Sequence, residues 1–290
     1  MGTDIDTAAS VGLCAALAVV LAAFAAVSIV SGPRSFERLD REAPLPLVGK
    51  APMEAVYAAL GPVARFLVAL RVSANAVTIA SFGLAVVAAV LFAFGHFGLG
   101  AVVASTAALA DALDGLIARQ TRTASKYGQV LDTTIDRYVE ALFIGGIAIY
   151  VRHDLLLLLL ALGALVGGFM VSYASSVLRE LAVPDPKAPM RRAERLSCLL
   201  VSATLVPFVA SAGHALPMRL QLGPIILALA TIAVVGNVSA LRRLLRGARV
   251  AAAANPVVPV PPPPAPAPVR STPSLKGPAS APASKRLRHP

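Results

Sequence analysis

Seven long apolar runs dominate this chain of 290 residues and limit what it can fold into. Several of them reach or exceed the roughly 18–20 residues that cross the hydrocarbon core of a bilayer as a helix. A soluble domain of this length would be far more polar, since 57% of the residues are hydrophobic and the mean hydropathy is +0.75. The sequence therefore predicts an all-α polytopic membrane protein.

Changes in composition along the chain predict four segments. An apolar run over 8–31 predicts an extra N-terminal transmembrane helix within 1–32, followed by a polar, cytoplasmic connector over 33–50. Residues 51–71 are apolar apart from Glu54 and Arg65, which favours an amphipathic helix lying in the membrane interface. With this helix begins a membrane domain over 51–250, in which we predict six further spans, at roughly 74–95, 99–119, 128–150, 154–178, 194–214 and 221–241.

Positive charges are divided unevenly between the two sets of predicted turns. Lys and Arg cluster near 119–126, 179–195 and 242–249, whereas the opposite turns hold only Arg152 and Arg219. The side richer in Lys and Arg is usually the cytoplasmic one. The acidic flank ahead of the first run, MGTDIDT, is opposite in charge to the start of a signal peptide. We therefore expect an uncleaved first helix with its N-terminus outside.

The composition changes again from residue 251 onward, where Pro and Ala replace the apolar pattern (AAAANPVVPVPPPPAPAP). A segment of this kind cannot bury a core and favours polyproline II or disorder. Its end is basic, with Lys285, Arg286 and Arg288. We predict a solvated, disordered tail over 251–290 whose basic end can contact anionic lipid headgroups.

Four aspartates stand at helical spacing on either side of one short predicted turn. On the first span, two aspartates, two small residues and an arginine share one stripe of the helix, and on the next span a glycine and two aspartates follow at i, i+4 steps. The turn of eight residues lets the helices return antiparallel, so that the carboxylates converge near the cytoplasmic end of the membrane. The residues are Asp111, Asp114, Gly115, Ala118, Arg119, Gly128, Asp132 and Asp136.

Converging carboxylates at membrane depth repel one another and need counter-charge, and such residues usually mark function. Mg²⁺ or Mn²⁺ suits a site that offers only oxygen ligands. Two such ions would suit phosphoryl transfer. The small residues leave room for a ligand, and Arg119 can pair with a phosphate. An ion or proton pathway along the carboxylates is the alternative from these residues alone.

The pattern Asp111-x2-Asp114-Gly115-x2-Ala118-Arg119-x8-Gly128-x3-Asp132-x3-Asp136 resembles the signature of the CDP-alcohol phosphotransferase family at every position. The resemblance covers roughly residues 51–245, an interfacial helix and six spans. The stretch VSANAVT (72–78) is also similar to the start of the family's first core helix, with Asn75 kept and Ala74 where a proline is common. The first span and the tail lie outside the resemblance.

The resemblance implies an enzyme of phospholipid biosynthesis that transfers a substituted phosphate from a CDP-linked lipid, usually CDP-diacylglycerol, to an alcohol and releases CMP. It implies two metal ions per site, held by Asp111, Asp114, Asp132 and Asp136, with Asp136 also the general base on the acceptor hydroxyl. It further implies a homodimer. We expect the bacterial inner membrane, a site that faces the cytoplasm and no nucleic-acid partner. The CDP site implied is Asn75, Asp111, Asp114, Gly115, Ala118, Arg119 and Gly128.

The signature does not set the acceptor alcohol. The loop PMRRAERLS (189–197) resembles that of the phosphatidylinositol-phosphate synthases, which use inositol phosphate, and its Arg191, Arg192 and Arg195 are the candidates for binding the acceptor. Membrane topology alone would also place arginines here. The stretch SYASSVLRE (172–180) starts like those enzymes but has Ser175 and Val177 where they tend to be basic. Glycerol phosphate or an uncharged alcohol is the alternative acceptor, and a transporter or an inactive scaffold the alternative of another class.

Overall fold

The computed structural model describes residues 2–31, 50–184, 189–213 and 216–254, and every regular element among them is helical. Six stretches are long and apolar enough to cross a membrane, which confirms the prediction of an all-α polytopic membrane protein. The predicted connector and the predicted tail lie outside the described residues, apart from Lys50 and residues 251–254, which are helical. The six stretches are Asp4–Ala26, Ala74–Ala93, Phe97–Gln120, Leu155–Glu180, Arg192–Ala212 and Gly223–Ala253.

The helices follow the predicted segments closely. Helix α2 lies at the position of the predicted interfacial helix and is not one of the six apolar stretches. The last helix runs on to Ala254, past the predicted start of the tail at 251. In chain order the elements are α1 (Gly2–Ser31), α2 (Lys50–Ala69), α3 (Ala74–Ala93), α4 (Phe97–Gln120), α5 (Lys126–Tyr150), α6 (Leu155–Glu180), α7 (Arg192–Ala212), α8 (Met218–Gln221), α9 (Gly223–Thr231), a π-helical turn (Ile232–Gly236) and α10 (Asn237–Ala254).

Helix α5 is too charged to be marked as a span by composition, although its position matches the predicted span over 128–150. Its first fifteen residues carry Asp132, Asp136, Arg137 and Glu140, and its last ten residues are apolar. It packs along both α3 and α6, and its 25 residues extend over about 37 Å. The charged half of α5 is therefore carried inside the helical bundle rather than in a loop.

Small residues bring the core helices close together, as is usual where helices pack in lipid. Buried alanines such as Ala85 on α3 and Ala104 on α4 belong to the main core. A side chain added at Gly146 on α5 would clash with the Ala89 carbonyl oxygen on α3. This close packing fixes α3, α4 and α5 relative to one another, and the candidate site lies where these three helices meet.

The N-terminal helix α1 is docked onto the core at its first turns. The buried Asp6 carboxylate accepts a hydrogen bond from the Leu99 backbone N–H at 3.0 Å and pairs with a ring nitrogen of His96 at 3.0 Å. A Cβ at Gly98 would clash with the Asp6 carbonyl oxygen, so this approach requires glycine. The start of α1 and the turn before α4 therefore lie on the same side of the molecule, the side that the charge count predicts as the outside.

The last span is interrupted by the π-helical turn and packs tightly on α6. The Asn237 side chain donates to the carbonyl oxygens of Gly163 on α6 at 3.1 Å and of Ala233 at 2.7 Å. These hydrogen bonds satisfy carbonyl groups where the backbone changes from α-helical to π-helical hydrogen bonding. They hold the start of α10 against α6, close to the beginning of α7.

Candidate active site

Three of the four signature aspartates converge at the end of the bundle where α4 ends and α5 begins. Asp111, Asp114 and Asp132 each offer one carboxylate oxygen, and these oxygens all lie within 4.8 Å of one another. Asp114 is buried, at 7% exposure, whereas the other two are partly exposed. The antiparallel return of α5 beside α4 thus brings together carboxylates that are up to 21 positions apart in the sequence.

Thr78 on α3 orients the buried member of this cluster. Its hydroxyl donates a hydrogen bond of 2.5 Å to Asp114 Oδ2, and the residue itself is 4% exposed. Thr78 belongs to the stretch 72–78, and it follows Asn75 by one helical turn. The sequence analysis did not single it out, although this spacing places it on the face of α3 that carries Asn75.

The fourth aspartate, Asp136, lies toward α7 and is paired with Arg192. The Arg192 guanidinium contacts Asp136 Oδ1 at 2.5 Å through Nη2 and Asp111 Oδ2 at 3.2 Å through Nη1. These side chains are only 14–24% exposed. One arginine at the start of α7 thus links a carboxylate of α4 with one of α5, an ion pair between residues up to 81 positions apart that local spacing could not predict.

Arg195, one helical turn further along α7, is buried and engaged elsewhere. Its guanidinium forms a two-pronged ion pair with Glu140 on α5, in which Nη2 lies 2.7 Å from Oε2, and its Nη1 donates to the Met190 carbonyl at 2.5 Å. Only 1% of its side chain is exposed. A Cβ at Gly168 on α6 would press against the Glu140 carboxylate. The structure thus places Arg195 in a brace between three helices, whereas Arg191 and Arg192 are half-buried.

A cavity of about 630 Å³ opens beside the carboxylate cluster and is formed by the end of α2, the start of α3, the end of α4 and the start of α5. Asp111 does not line it and lies on the α7 side with Arg192. Arg71, at a left-handed bend with φ 57°, is a lining residue that the sequence analysis missed. The predicted site residues that line the cavity are Asn75, Asp114, Gly115, Ala118, Arg119, Gly128 and Asp132.

Two helix N-termini face this cavity, which favours a bound anion. Ser73 caps α3 by accepting a hydrogen bond from Ala76 N–H at 3.2 Å, and Ser125 caps α5 by accepting one from Gly128 N–H at 3.1 Å. A Cβ at Gly128 would meet only ordinary contacts, the nearest at 3.4 Å. The folded chain therefore does not itself require glycine there, and the free space belongs to the cavity.

The donor set suits a hard divalent cation. The three clustered groups are all carboxylates, and neither His nor Cys belongs to the cluster among the described residues. Oxygen ligands of this kind bind Mg²⁺ or Mn²⁺ rather than zinc. Asp111, Asp114 and Asp132 would hold the ion, and it would neutralise charge on a phosphate bound in the adjoining cavity.

Comparison with known proteins assigns the chain to a family. The CDP-alcohol phosphatidyltransferase family matches residues 71–240, which are more than half of the chain and include the four signature aspartates and Arg192. The chain belongs to this family. It is therefore a metal-dependent transferase that moves a substituted phosphate group from a CDP-linked donor to an alcohol.

Relatives of this chain include a phosphatidylinositol phosphate synthase and an archaetidylinositol phosphate synthase. The phosphatidylinositol phosphate synthase of Mycolicibacterium smegmatis is 31% identical over 177 residues, which cover 59% of this chain and 78% of that protein. The archaetidylinositol phosphate synthase of Pyrococcus horikoshii is 36% identical over 114 residues, 39% of this chain and 58% of that protein. The crystal structure of the Mycobacterium tuberculosis phosphatidylinositol phosphate synthase with CDP-DAG bound has a TM-score of 0.56 at 25% identity, over 65% of this chain and 92% of that chain.

A second crystal structure of the Mycobacterium tuberculosis enzyme contains manganese and citrate. It matches this chain with a TM-score of 0.57 at 26% identity, over 65% of this chain and 88% of that chain. A divalent cation is thus found in a solved member of the same fold.

Proposed function

We propose that this chain transfers the phosphatidyl group of CDP-diacylglycerol to inositol phosphate and releases CMP. The observation that carries the proposal is the placement of Arg192 against Asp136, which sets a positive charge beside the carboxylate assigned to the acceptor hydroxyl. The names of the bacterial and archaeal relatives support an inositol phosphate acceptor. We assign its phosphate to Arg191 and Arg192, which are partly exposed, because the Arg195 side chain is only 1% exposed and cannot reach a ligand from the solvent side.

The transfer requires an in-line exchange at one phosphorus atom. The acceptor hydroxyl oxygen forms a bond to the phosphorus that carries diacylglycerol, and the bond from that phosphorus to the bridging oxygen breaks, so that CMP leaves. Asp136 takes the hydroxyl proton, since an alcohol is a poor nucleophile at neutral pH. The 630 Å³ cavity, with Arg119 at its edge and two helix N-termini facing it, holds the cytidine diphosphate part. Asp111, Asp114, Asp132 and Asp136 would hold two Mg²⁺ or Mn²⁺ ions, which would neutralise phosphate charge when bound.

The acceptor is tested by measuring CMP release from CDP-diacylglycerol by the purified full chain, with inositol phosphate, inositol, glycerol phosphate or no acceptor, at fixed Mg²⁺ or Mn²⁺. We expect inositol phosphate to support release at least about tenfold above the other acceptors. Equal or faster release with glycerol phosphate or inositol would assign the acceptor differently. Absence of CMP release with every acceptor would favour a transporter or scaffold.

The base assignment is tested with Asp136→Asn. We expect CMP release to fall by about 10²–10⁴-fold, the range for loss of a general base, while the protein still elutes as a folded species. The matched control is Asp154→Asn, which makes the same chemical change at the other end of the bundle, where Asp154 caps α6. Activity of D136N within about threefold of wild type would remove Asp136 from this role.

We also propose a cytoplasmic site and a homodimer. The Lys- and Arg-rich turns lie at the end of the bundle that carries the aspartates, which supports a cytoplasmic site in a bacterial inner membrane. Reporter fusions after residue 254 test the orientation, and a periplasmic signal would reverse it.

The homodimer is carried over from the family resemblance. Light scattering of the detergent-solubilised chain tests it, and the mass of a single chain would contradict it.

A further inference from the structure

Arg192 divides the four signature aspartates into two unequal groups. Asp114 and Asp132 face the 630 Å³ cavity, whereas Asp136 lies on the α7 side, 2.5 Å from the guanidinium. Asp111 belongs to both groups, since it is part of the oxygen cluster and also contacts Arg192 at 3.2 Å. A fixed positive charge therefore shares a carboxylate with the candidate metal site.

Hydrogen bonds of the Met190 backbone fix the start of α7, the helix that carries Arg192. Met190 adopts a left-handed conformation with φ 68°, its N–H donates to the Glu194 carboxylate at 2.6 Å, and its carbonyl accepts from Arg195. Arg195 is in turn paired with Glu140 on α5. The residue before α7, Met190, is thus bonded to the first turn of α7, and Arg195 links that turn to α5. These contacts hold the first turn of α7 in a fixed position, so that Arg192 points toward the aspartates.

The position of Arg192 has an electrostatic consequence for cation binding. Its guanidinium neutralises part of the charge of Asp111 and Asp136, and it repels any cation that the same carboxylates would hold. The effect is large because these side chains are mostly buried, so that solvent screens the charge weakly. A direct contact with a carboxylate also competes with a metal ion for the same oxygen atoms.

We propose that Arg192 is a positioning residue that sets the divalent-cation affinity of the aspartate cluster and holds Asp136 in the orientation needed to take a proton. The proposal rests on the proposed function of the cluster as a metal site and of Asp136 as the base. In it, the arginine makes metal binding weaker than four unopposed aspartates would make it. In return, Arg192 fixes the orientation of the Asp136 carboxylate and places a positive charge beside the acceptor.

The test is a titration of the purified full chain in detergent with Mn²⁺ alone, in which the free ion is measured by electron paramagnetic resonance. We expect Arg192→Gln to bind Mn²⁺ about tenfold more tightly than wild type, the order expected when one unit charge is removed near a divalent cation. Arg192→Lys keeps the charge but loses the paired nitrogen donors, so its Mn²⁺ affinity should lie closer to that of wild type than the affinity of R192Q does. The control Arg191→Gln removes the neighbouring arginine, for which no ion pair is found among the described residues, and its Mn²⁺ affinity should stay within about twofold of wild type.

A second measurement separates a positioning role from a purely structural one. At saturating Mn²⁺, R192Q should release CMP more slowly than wild type, with a lower kcat, because Asp136 is no longer held. R192K should recover part of that rate. A merely structural role would lower stability and weaken Mn²⁺ binding together.

Several results would overturn the proposal. Unchanged or weaker Mn²⁺ affinity in R192Q would do so, and so would equal tightening in R191Q. Loss of the folded protein in both R192Q and R192M, with R192K folded, would mean that the charge serves the fold instead. If wild type binds no Mn²⁺ and releases no CMP, the proposed function itself fails. If wild type does both and R192Q binds Mn²⁺ as wild type does, only this inference fails.

Discussion

The brace between Arg195 and Glu140 gives a prediction whose size follows from the burial of the pair. The substitution Glu140→Ala removes both acceptors of the two-pronged ion pair and leaves a guanidinium that is 1% exposed with only the Met190 carbonyl and the Ser172 hydroxyl as partners. Removing one partner of a buried ion pair costs about 3–5 kcal/mol, because the other charge stays uncompensated. With about 2–4 °C per kcal/mol for a chain of this size, we expect the unfolding midpoint to fall by roughly 6–20 °C.

The measurement is the fraction of detergent-solubilised protein that remains monodisperse after heating, compared at one heating rate because membrane proteins often unfold irreversibly. The control Arg152→Gln removes an exposed arginine whose Nη1 donates to the Ile149 carbonyl, and its midpoint should stay within about 2 °C of wild type. The double variant E140A/R195M removes the buried Arg195 charge and should recover most of the loss, because Arg137, which also pairs with Glu140, lies 3.8 Å away and is 32% exposed. A midpoint for E140A within about 2 °C of wild type, or a double variant no better than the single one, would refute the reasoning.

Two further predictions concern the aspartate cluster and the opposite end of the bundle. Thr78→Val removes the hydroxyl that orients Asp114 and should raise the Mn²⁺ concentration for half-maximal CMP release by about 10–100-fold; Thr106→Val, whose hydroxyl bonds only within α4, should leave it unchanged. A hydrogen bond from Arg219 lowers the pKa of Asp154, so the carboxylate stabilises the fold above about pH 4 and this contribution is lost as the pH falls through the folded-state pKa. Asp154→Asn keeps the helix cap, and its thermal midpoint should lie below that of wild type at pH 7 and converge with it in acid; a constant gap across pH would contradict the assignment.

The helices were predictable because their signals are local. The signals are apolar runs of bilayer length, turns with Gly or basic residues, and i, i+4 spacing, each of which is visible within 30 residues. Most ends of the predicted spans lie within a few residues of the ends of the observed helices. The convergence of Asp111, Asp114 and Asp132 followed from the same spacing once a short turn was assumed. Among the predicted spans, α5 alone is too charged to count as a span by composition. The bundle tolerates its charged residues because they pair with other helices in the interior.

The α7 side of the site could not be predicted in the same way. The pairing of Arg192 with Asp136 joins residues 56 positions apart, and the pairing of Arg195 with Glu140 joins residues 55 positions apart. Nothing in the local pattern distinguishes Arg192 from Arg191 or Arg195. From the sequence, all three are interpreted as part of a basic cytoplasmic turn. Only the direction of each side chain at the start of α7 decides that Arg195 pairs with Glu140 while Arg192 contacts the aspartates.

The division of the site between two sets of helices indicates where a change of acceptor would have to occur. The cavity and the oxygen cluster are built by α3, α4 and α5, whose positions are fixed by close small-residue packing. The proposed acceptor side is built by the start of α7, where Arg191 caps the helix and Arg192 contacts Asp136. We therefore expect substitutions at the start of α7 to change the acceptor alcohol while the cavity and the oxygen cluster keep the transfer chemistry. Under the proposed function, Arg191 and Arg192 supply the positive charge for the phosphate of the acceptor, because Ser175 and Val177 carry no charge. Loss of Arg191 and Arg192 should therefore lower CMP release more in this chain than in an enzyme with basic residues at 175 and 177.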